Sequence, residues 1–410
     1  MASTRWGDSL GRHDNSGTRE QRRRLMRAAV WLLAVVAILF GANAAAGAWI
    51  RTSTRPTLEP DPHASASAGK TPGATTPAPT KPAGASQITL AFTGDMLASD
   101  DLLAQAKKDG GGSTYDFNPM LTTVAPILSK ADWAICHQET PVSDNDQGVK
   151  GYPTFNAPLE LAQAEKQAGY DACDTASNHT ADLGDGGITA TLGTLDRFGI
   201  KHTGSARTEA EAARPTIYDV KGVKVGHLAY TYGLNGLHVS QPWMVNIINI
   251  GAIKAAAHRL KQAGADIVVV SIHDGIEQNQ TPSADEVRID DAVMQSPDVD
   301  LIVGAHAHVV QPVKRLADGR WIVYGVGNFL AQQSDGVTTA DPTPPNRDGV
   351  IIEPTFSKVD GHYKITQMGY VPTFVDAPSD KVELAPDFSR KRTETSLSAM
   401  GAPLVDLTPR

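Results

Sequence analysis

The stretch Leu301-Ile302-Val303-Gly304-Ala305-His306-Ala307-His308 places two histidines, one residue apart, directly after a short apolar run. The apolar run predicts a buried strand, and residues i and i+2 of a strand face the same side. Both imidazoles are therefore expected to point at one spot, where the small neighbouring residues leave room for an ion. Two hydrogen-bonded core histidines would give the same pattern, so the interpretation depends on the rest of the chain.

Four other predicted strands also end in residues that can bind a metal. These strands are expected at 88–93, 133–136, 171–176 and 266–272. They lead into a set of polar side chains: Asp95, His137, Glu139, Asn178, His179 and His273. Apolar strands separated by helical stretches are typical of a mostly parallel α/β sheet, whose sites lie at the carboxyl ends of the strands. The five clusters are thus expected at one edge of one sheet.

Each of these residues also has an ordinary structural role open to it. Asp95 can cap a helix, Asn178 can cap or turn the chain, and His273 can be a hydrogen-bonded residue at a strand end. Their joint occurrence at strand ends favours a metal site. The mixed oxygen and nitrogen donors suit manganese, iron or zinc. The set exceeds what one tetrahedral ion needs, which predicts two divalent ions that can clamp the attacking and leaving oxygens of a phosphoryl transfer.

The ordered motifs resemble one known family. They read G-D-M at 94–96, E-T at 139–140, S-N-H-x-x-D-x-G-x-x-G at 177–187, H-D-G at 273–275, G-A-H-A-H-V-V-Q-P at 304–312 and Y-G-V-G-N-F at 324–329. This series resembles the CapA/PgsA family of poly-γ-glutamate capsule biosynthesis proteins, which looks like a branch of the calcineurin-like metallophosphoesterases. The resemblance covers about Ile88 to Val375.

The resemblance implies a role for each motif residue. Six residues would be metal ligands, one carboxylate being shared between two ions: Asp95, Glu139, Asn178, His273, His306 and His308. His179 would lie over the substrate as a general acid or anion stabiliser. Asp182 and the glycines of 184–187 would shape the following loop and helix start, and Asn328 would buttress the site.

Three positions depart from the family pattern. His137 stands where the family usually has Asn two residues before the acidic ligand; it would either replace that Asn as a ligand or alter the second metal position. Asp274 in H-D-G replaces an aromatic residue and adds a negative charge near the site. Asp174 lies in a predicted strand where an apolar residue is usual.

The predicted fold is α/β, a metallophosphoesterase-like two-sheet β-sandwich flanked by helices. Two Asp-Gly turns, at Asp318 and Asp360, lie between apolar runs and predict antiparallel hairpins in the later part of the chain. The chain contains no P-loop and no G-x-G-x-x-G after a strand. The net charge of -8 and the pI of about 5.8 give no basic footprint for nucleic acid, so no nucleic-acid partner is expected.

The N-terminal region predicts a membrane anchor. Residues 1–27 form a basic segment with five arginines from Arg19 to Arg27, and residues 28–50 carry no charge. That apolar stretch is long enough to cross a bilayer as a single transmembrane helix, with the basic segment in the cytoplasm and the domain outside. A cleaved signal peptide ending near Ala42-Asn43-Ala44, and export by a twin-arginine signal at 21–27, are the alternatives.

Beyond the anchor, the chain divides into a linker, a domain and a tail. Residues 51–86 are rich in Pro, Ala, Ser and Thr and predict a disordered linker that holds the domain off the membrane. Residues 87–376 form the CapA-like metallophosphoesterase domain, and 377–410 are expected to be an irregular tail. The two cysteines, Cys136 and Cys173, could form a disulfide outside the cell or remain buried free thiols.

Three functions fit this pattern. The first is a divalent-metal-dependent phosphoesterase-type hydrolase, and the second is a non-enzymatic, metal-binding export or anchoring subunit for an anionic envelope polymer such as poly-γ-glutamate. The third is cleavage of the polymer's amide bonds, because activated water also attacks carbonyls. The expected partners are the membrane, the polymer and its synthase or export subunits, and the expected location is the cell membrane, with the domain extracellular.

Overall fold

The computed structural model describes residues 84–143, 148–333, 343–377 and 379–409. The predicted basic segment, the predicted anchor and nearly all of the predicted linker lie outside these residues. In the described part of the chain, no helix is both long and apolar enough to cross a bilayer.

Fifteen strands lie within the described ranges. In chain order they are β1 Gln87–Leu97, β2 Trp133–Gln138, β3 Ala172–Asp174, β4 Lys201–Thr203, β5 Ile217–Val220, β6 Val223–Thr231, β7 Ile267–His273, β8 Leu301–Ala305, β9 Val313–Arg315, β10 Trp321–Val323, β11 Asn328–Ala331, β12 Asp348–Val359, β13 His362–Asp376, β14 Lys381–Leu384 and β15 Leu404–Asp406.

Nine α-helices connect or cover these strands in the described ranges. They are α1 Asp100–Asp109, α2 Asn118–Leu121, α3 Ala125–Leu128, α4 Glu160–Ala168, α5 Gly184–Phe198, α6 Glu209–Ala212, α7 Ile250–Gln262, α8 Ala284–Val293 and α9 Asp387–Ser398, with a short 3-10 turn at Pro345–Arg347. Local signals set several of their ends. Ser283 and Glu286 form a reciprocal capping box at the start of α8, and α4 and α5 end at Gly169 and Gly199 in the left-handed conformation.

The strands form two sheets. The first has nine strands in the order β14-β13-β12-β1-β2-β3-β4, with β11 beside β1 and β15 beside β13. The second has six in the order β5-β6-β7-β8-β10-β9. The centre of each sheet is parallel, because β1, β2, β3 and β4, and likewise β6, β7, β8 and β10, are joined through helices or long connections. The predicted hairpins are confirmed as the antiparallel pairs β9–β10 and β12–β13.

Among the described residues, three large apolar cores hold the layers together, beside a small cluster of Leu97, Phe155 and Ala331. One lies between the sheets, where Phe92 and Ile135 of the first sheet share a cluster with Val269 and Leu301 of the second. The other two lie between each sheet and its own helices. Strand β7 contributes to two of these cores. Val269 faces the core between the sheets and its neighbour Val270 faces the helices, so the strand is apolar on both sides. The predicted mixed α/β fold with two sheets and flanking helices is confirmed.

The C-terminal segment is not the irregular tail that the sequence predicts. Strands β14 and β15 pair with β13, and α9 packs on the first sheet. Asp348, buried at the start of β12, accepts hydrogen bonds from Ser389 and Arg392 of α9. The sequence pattern is weak because α9 buries mostly hydroxyl side chains, Ser389, Thr393 and Ser396, so it has no apolar stripe.

Candidate metal centre

The candidate ligands come from both sheets, not from one sheet edge as the sequence predicts. Asp95, His137 and Glu139 lie in or directly after β1 and β2 of the first sheet, and His273 ends β7 of the second. The carboxyl ends of these parallel strands meet at one end of the sandwich. Asp95 is in register with His137. Packing of the two sheets, not a single sheet edge, therefore assembles the site.

Two glycines allow the backbone to pass where ligand-bearing strands end. A Cβ on Gly94, the residue before Asp95, would lie 1.7 Å from the carbonyl oxygen of Gly327. A Cβ on Gly304, two residues before His306, would lie 1.8 Å from that of Tyr324. Any larger residue at either position would push these segments apart, which explains the Gly in the G-D-M and G-A-H motifs.

His306 and His308 do not lie on a strand face as predicted. Strand β8 ends at Ala305, and both histidines follow it in a bend with φ of 92° and 55°. Their rings converge, with centroids 5.9 Å apart, because the backbone turns through the left-handed region. That region costs a non-glycine residue on the order of 1 kcal/mol, a strain that is typical of functional sites.

One group of converging atoms contains Asp95, Glu139 and His308. Their donor atoms lie within 4.8 Å of one another, and all three residues are buried. His308 Nε2 lies 3.7 Å from Glu139 Oε1. His308 Nδ1 lies 2.9 Å from both Asp95 Oδ2 and Asn328 Oδ1, and its N–H is directed to Asn328. Asn328 also donates to the carbonyl of Asn346, so it buttresses His308 from behind.

A second group surrounds His273. Its Nε2 lies 2.9 Å from Asn178 Oδ1, and its ring centroid is 4.7 Å from that of His306. His306 and His308 also lie near the carboxylate of Glu277, with donor atoms of the three within 4.8 Å of one another. Each of the six predicted ligands thus has a donor atom within 4.8 Å of a donor atom of another predicted ligand.

The donor atoms fit divalent cations. All four carboxylate oxygens of Asp95 and Glu139 are buried without a hydrogen-bond partner among the described residues, as is Nδ1 of His306. A buried carboxylate with no partner is strongly destabilising, so such a cluster calls for a cation. Oxygen and imidazole donors together suit manganese, iron or zinc. The predicted cofactor class therefore agrees with the structure at the level of candidate His and Asp clusters.

The electrostatics of the two acidic residues differ. Burial raises the pKa of Asp95, but its interactions with His308 and His137 outweigh burial and leave the pKa below its usual range. Burial raises the pKa of Glu139 to about 7, with the charge of Asp95 adding to the effect and His308 opposing it. The site thus concentrates negative charge at Asp95, while Glu139 is readily protonated near pH 7, and a nearby cation would favour its ionised form.

The pKa values of the histidines are also shifted in opposite directions. Burial lowers the pKa of His306 to about 4, and burial together with the neighbouring imidazoles holds the pKa of His273 well below its usual range. His308 is the opposite case, because the carboxylates of Glu139 and Asp95 overcome burial and raise its pKa to about 10. His306 and His273 are therefore neutral near pH 7, the protonation state in which imidazole binds metals.

His179 lies at the edge of the centre with a fixed orientation. Its Nδ1 is 2.9 Å from Asp182 Oδ2, and the same oxygen accepts from the backbone N–H of Phe155. The Phe155 ring packs edge-on against the imidazole at 4.8 Å. Burial lowers the pKa of His179, but Asp182 and the charge of Glu139 outweigh burial and raise it overall. Asp182 therefore supports the imidazole as well as the loop before α5.

His137 and Asp174, two of the three residues that depart from the family pattern, are hydrogen-bonded to each other. His137 Nδ1 lies 2.5 Å from Asp174 Oδ1, and the two residues are in register on β2 and β3. The residues just before them, Cys136 and Cys173, form a disulfide with Cα atoms 4.4 Å apart. The structure thus selects the disulfide from the two alternatives that the sequence left open.

The remaining departure is Asp274, which directly follows His273. Its carboxylate is in none of the potential metal-binding clusters of the described residues, and burial raises its pKa, with Asp285 adding to the effect.

The aromatic surface at the site comes from Tyr232, whose ring centroid lies 4.7 Å from that of His306 and 6.3 Å from that of His273. The sequence reasoning missed Tyr232 and Glu277, because both lie in loops without periodicity.

The fold and this site define a two-sheet α/β protein with a candidate divalent-metal centre at the carboxyl ends of strands from both sheets. The chain belongs to the family described as bacterial capsule synthesis protein PGA_cap, whose family model matches residues 89–333.

Two curated proteins are similar to this chain. The capsule biosynthesis protein CapA of Bacillus anthracis is 26% identical over 267 residues, which is 62% of each chain. The PGA biosynthesis protein CapA of Bacillus subtilis (strain 168) is 26% identical over 260 residues, or 60% of this chain and 64% of that protein. The match therefore spans less than two-thirds of the length of these relatives.

Solved structures share a more distant similarity. The NAD nucleotidase NadN of Haemophilus influenzae aligns over 79% of this chain and 57% of its own, with a TM-score of 0.40 and 12% identity. The calcineurin-like phosphoesterase YfkN of Bacillus subtilis aligns over 77% of this chain and 99% of its own, with a TM-score of 0.37 and 14% identity. At such scores, the architecture described above is the firmer basis for the fold.

Proposed function

We propose that this chain is a divalent-metal-dependent hydrolase of the phosphoesterase type that acts in capsule biosynthesis. One observation carries the proposal: the carboxylates of Asp95 and Glu139 are buried side by side without hydrogen bonds and are surrounded by imidazoles. Such a cluster is unfavourable unless cations complete it. A purely structural role gives no reason to assemble six ligand-type residues from five chain segments beside an accessible aromatic surface.

The residues would divide between two metal positions. Asp95, Glu139 and His308 would hold one ion, and Asn178, His273 and His306 the other, with Glu139 as the shared carboxylate. Bound divalent ions supply Lewis acidity and lower the pKa of water, which permits hydrolysis at neutral pH. Asn328 fixes the His308 ring through the hydrogen bond to Nδ1. This arrangement leaves His308 Nε2 directed at the carboxylate of Glu139.

His179 would handle the proton on the leaving group. Because its Nδ1 is bonded to Asp182, its Nε2 is the nitrogen left for the substrate. A histidine in this state donates a proton to a leaving oxygen or stabilises a developing negative charge. Tyr232 covers the histidines on one side and is 42% exposed, so its ring would contact the substrate and exclude water.

We further propose that the domain lies outside the cell membrane, held by the predicted transmembrane helix at 28–50. The names of the two curated relatives support a role with poly-γ-glutamate or another envelope polymer, together with its synthase or export subunits. A test of location is protease treatment of intact spheroplasts. Loss of the domain, with cytoplasmic proteins intact, supports the outside location, and protection until lysis contradicts it.

Activity is tested with two classes of substrate. The purified full-length chain is assayed with manganese or zinc on bis(p-nitrophenyl) phosphate and, in parallel, on a γ-linked glutamate oligomer. Phosphodiester turnover that His179→Ala abolishes supports the proposal. Cleavage of the oligomer alone replaces the phosphoesterase with an amidase. Metal binding without turnover on either supports the export or anchoring subunit.

A further inference from the structure

A cleft of about 610 Å³ is bordered by the edge strands of both sheets, β4 of the first and β5 of the second. Its lining includes residues 201–207 and 211–219, together with Tyr230, Trp243 and Arg259. None of the candidate metal ligands is among the described residues that line it. Its volume lies within the range of cavities that bind ligands, so the cleft is a candidate binding site apart from the metal centre.

The acidic side chains of the cleft already have cationic partners. The lining contains four Lys or Arg residues and three Asp or Glu residues: Lys201, Arg207, Arg214 and Arg259, against Asp196, Glu211 and Asp219. Arg207 pairs with both Asp196 and Glu211. Lys224 pairs with Asp219. The negative charges of the lining are therefore neutralised by Arg207 and by a lysine that lies outside the cleft.

The other three cations of the cleft have no such partner. Within the described ranges, the side chains of Lys201, Arg214 and Arg259 make no hydrogen bond or ion pair, and all three residues are exposed. Single exposed cations are common, but these three come from β4, the α6–β5 connection and α7 to line one cleft, on a chain whose net charge is -8. Such a local excess of positive charge attracts a ligand with several negative charges.

A hydroxyl and an aromatic ring add to this surface. Burial raises the pKa of Tyr230 to about 12, although the nearby charge of Arg259 opposes the effect. The hydroxyl of Tyr230 is therefore protonated near pH 7 and can donate a hydrogen bond beside the guanidinium. Trp243 is half-buried in the lining, so its ring can pack on the apolar part of a ligand.

The edge strands offer another kind of contact. In the part of the chain that the structure describes, β4 pairs only with β3, and β5 pairs only with β6. The outer side of an edge strand carries unpaired backbone N–H and C=O groups, to which an extended chain with amide links can hydrogen-bond. Cations beside such edges suit an acidic polyamide better than inorganic phosphate or nucleic acid, which have no amide backbone.

We propose that this cleft is a second binding site, separate from the metal centre, for an acidic polyamide, that is, a polymer with amide links in its backbone and carboxylates on its side chains. Lys201, Arg214 and Arg259 would pair with carboxylates of the polymer. The inference deepens the proposed function, on which it rests for the envelope polymer. The cleft would hold the polymer whether or not the metal centre acts on it.

The test is binding of a fluorescently labelled γ-linked glutamate decamer to the full-length chain, measured by anisotropy at low salt. The uncharged chelator 1,10-phenanthroline is present, so that bound metal does not contribute. The test variant carries Arg214→Gln and Arg259→Gln together. The matched control carries Lys364→Gln and Lys391→Gln, which remove the same charge from exposed positions of β13 and α9 outside the cleft.

We expect the test variant to bind the decamer about 3- to 30-fold more weakly than wild type, because it loses two partly solvated ion pairs. The control should bind within twofold of wild type. Wild-type affinity should fall as NaCl is added, since salt screens exposed charges. A γ-linked glutamine decamer, which keeps the amide backbone but carries no side-chain charge, should not displace the labelled decamer.

Three outcomes would overturn the inference. Equal weakening in the test variant and the control would reduce the binding to general charge attraction. Wild-type protein that does not bind the decamer would leave the cleft without this ligand. Stronger displacement by a DNA oligonucleotide of equal charge would replace the polyamide with nucleic acid. Absence of metal or of turnover would defeat the proposed hydrolase but leave these binding results unchanged, so the two failures are distinguishable.

Discussion

Nδ1 of His137 lies 2.5 Å from Oδ1 of Asp174, and the two residues stand directly opposite each other on β2 and β3. In the sequence they are separate departures, one beside a ligand and one inside a strand. In the structure each provides the partner that the other needs, because a buried carboxylate and a buried imidazole are both unfavourable alone. Two unusual residues thus form one satisfied pair next to the candidate ligand His273.

His179→Ala should lower turnover by about 10²- to 10⁴-fold while metal content stays at the wild-type level, because the imidazole would act on the substrate. Asp182→Asn should have a smaller effect, since His179 keeps its place but loses the charged partner that fixes it. The measurement is kcat on a phosphodiester beside metal analysis. Equal turnover in wild type and His179→Ala would remove His179 from the mechanism.

Replacing both cysteines by alanine should lower the free energy of unfolding by roughly 3–4 kcal/mol, the value expected for a cross-link of this span. The disulfide joins residues 37 apart in the sequence. Urea denaturation of the double variant and of wild type measures the difference. A midpoint that does not move would show that the cross-link leaves the unfolded chain unrestricted.

Arg392→Met should lower the free energy of unfolding by about 3 kcal/mol, because it removes the guanidinium that donates to the buried carboxylate of Asp348. The variant tests whether the C-terminal helix belongs to the domain. Arg390→Met is the control, since Arg390 is similarly exposed but pairs with the largely exposed carboxylates of Asp406 and Glu394. Equal denaturation midpoints for the two variants would contradict the structural role of α9.

The free energy of unfolding should fall as the pH rises, because Glu165 is buried. Burial beside the disulfide raises its pKa to about 8 from an ordinary 4.5, so the folded state holds a proton that the unfolded state releases. Its contribution is full below pH 4.5 and declines by about 1.4 kcal/mol per pH unit until pH 8. Glu165→Gln should therefore gain stability over wild type between pH 5 and 8. Parallel stability curves would refute the buried, protonated state.

The sequence identifies more of the candidate metal centre than of its surroundings. Candidate ligands at strand ends, such as Asp95 and His273, can be found in the sequence because each follows an apolar run, and parallel α/β sheets have their sites at the carboxyl ends of the strands. The assignment of those ends to two sheets depends on packing between strands distant in sequence. Tyr232 and Glu277 enter the site through loops, for which no periodic pattern exists.

Two local conformations were also beyond the sequence pattern. The H-x-H spacing predicts a shared strand face, but β8 stops at Ala305 and the histidines converge through a left-handed bend. The C-terminal helix was missed because its buried face consists mostly of Ser389, Thr393 and Ser396, residue types that are usually found on the surface, with Leu397 as its one large apolar member. In both cases tertiary contacts override the local signal.

The central claim is that the buried carboxylates and imidazoles bind two divalent ions. The most direct measurement is elemental mass spectrometry of the purified full-length chain, with His306→Ala as the test variant and the exposed His258→Ala as the control. The account predicts about two equivalents of a transition metal in wild type and control, and fewer in His306→Ala. A folded, monodisperse wild-type protein without bound metal would contradict it.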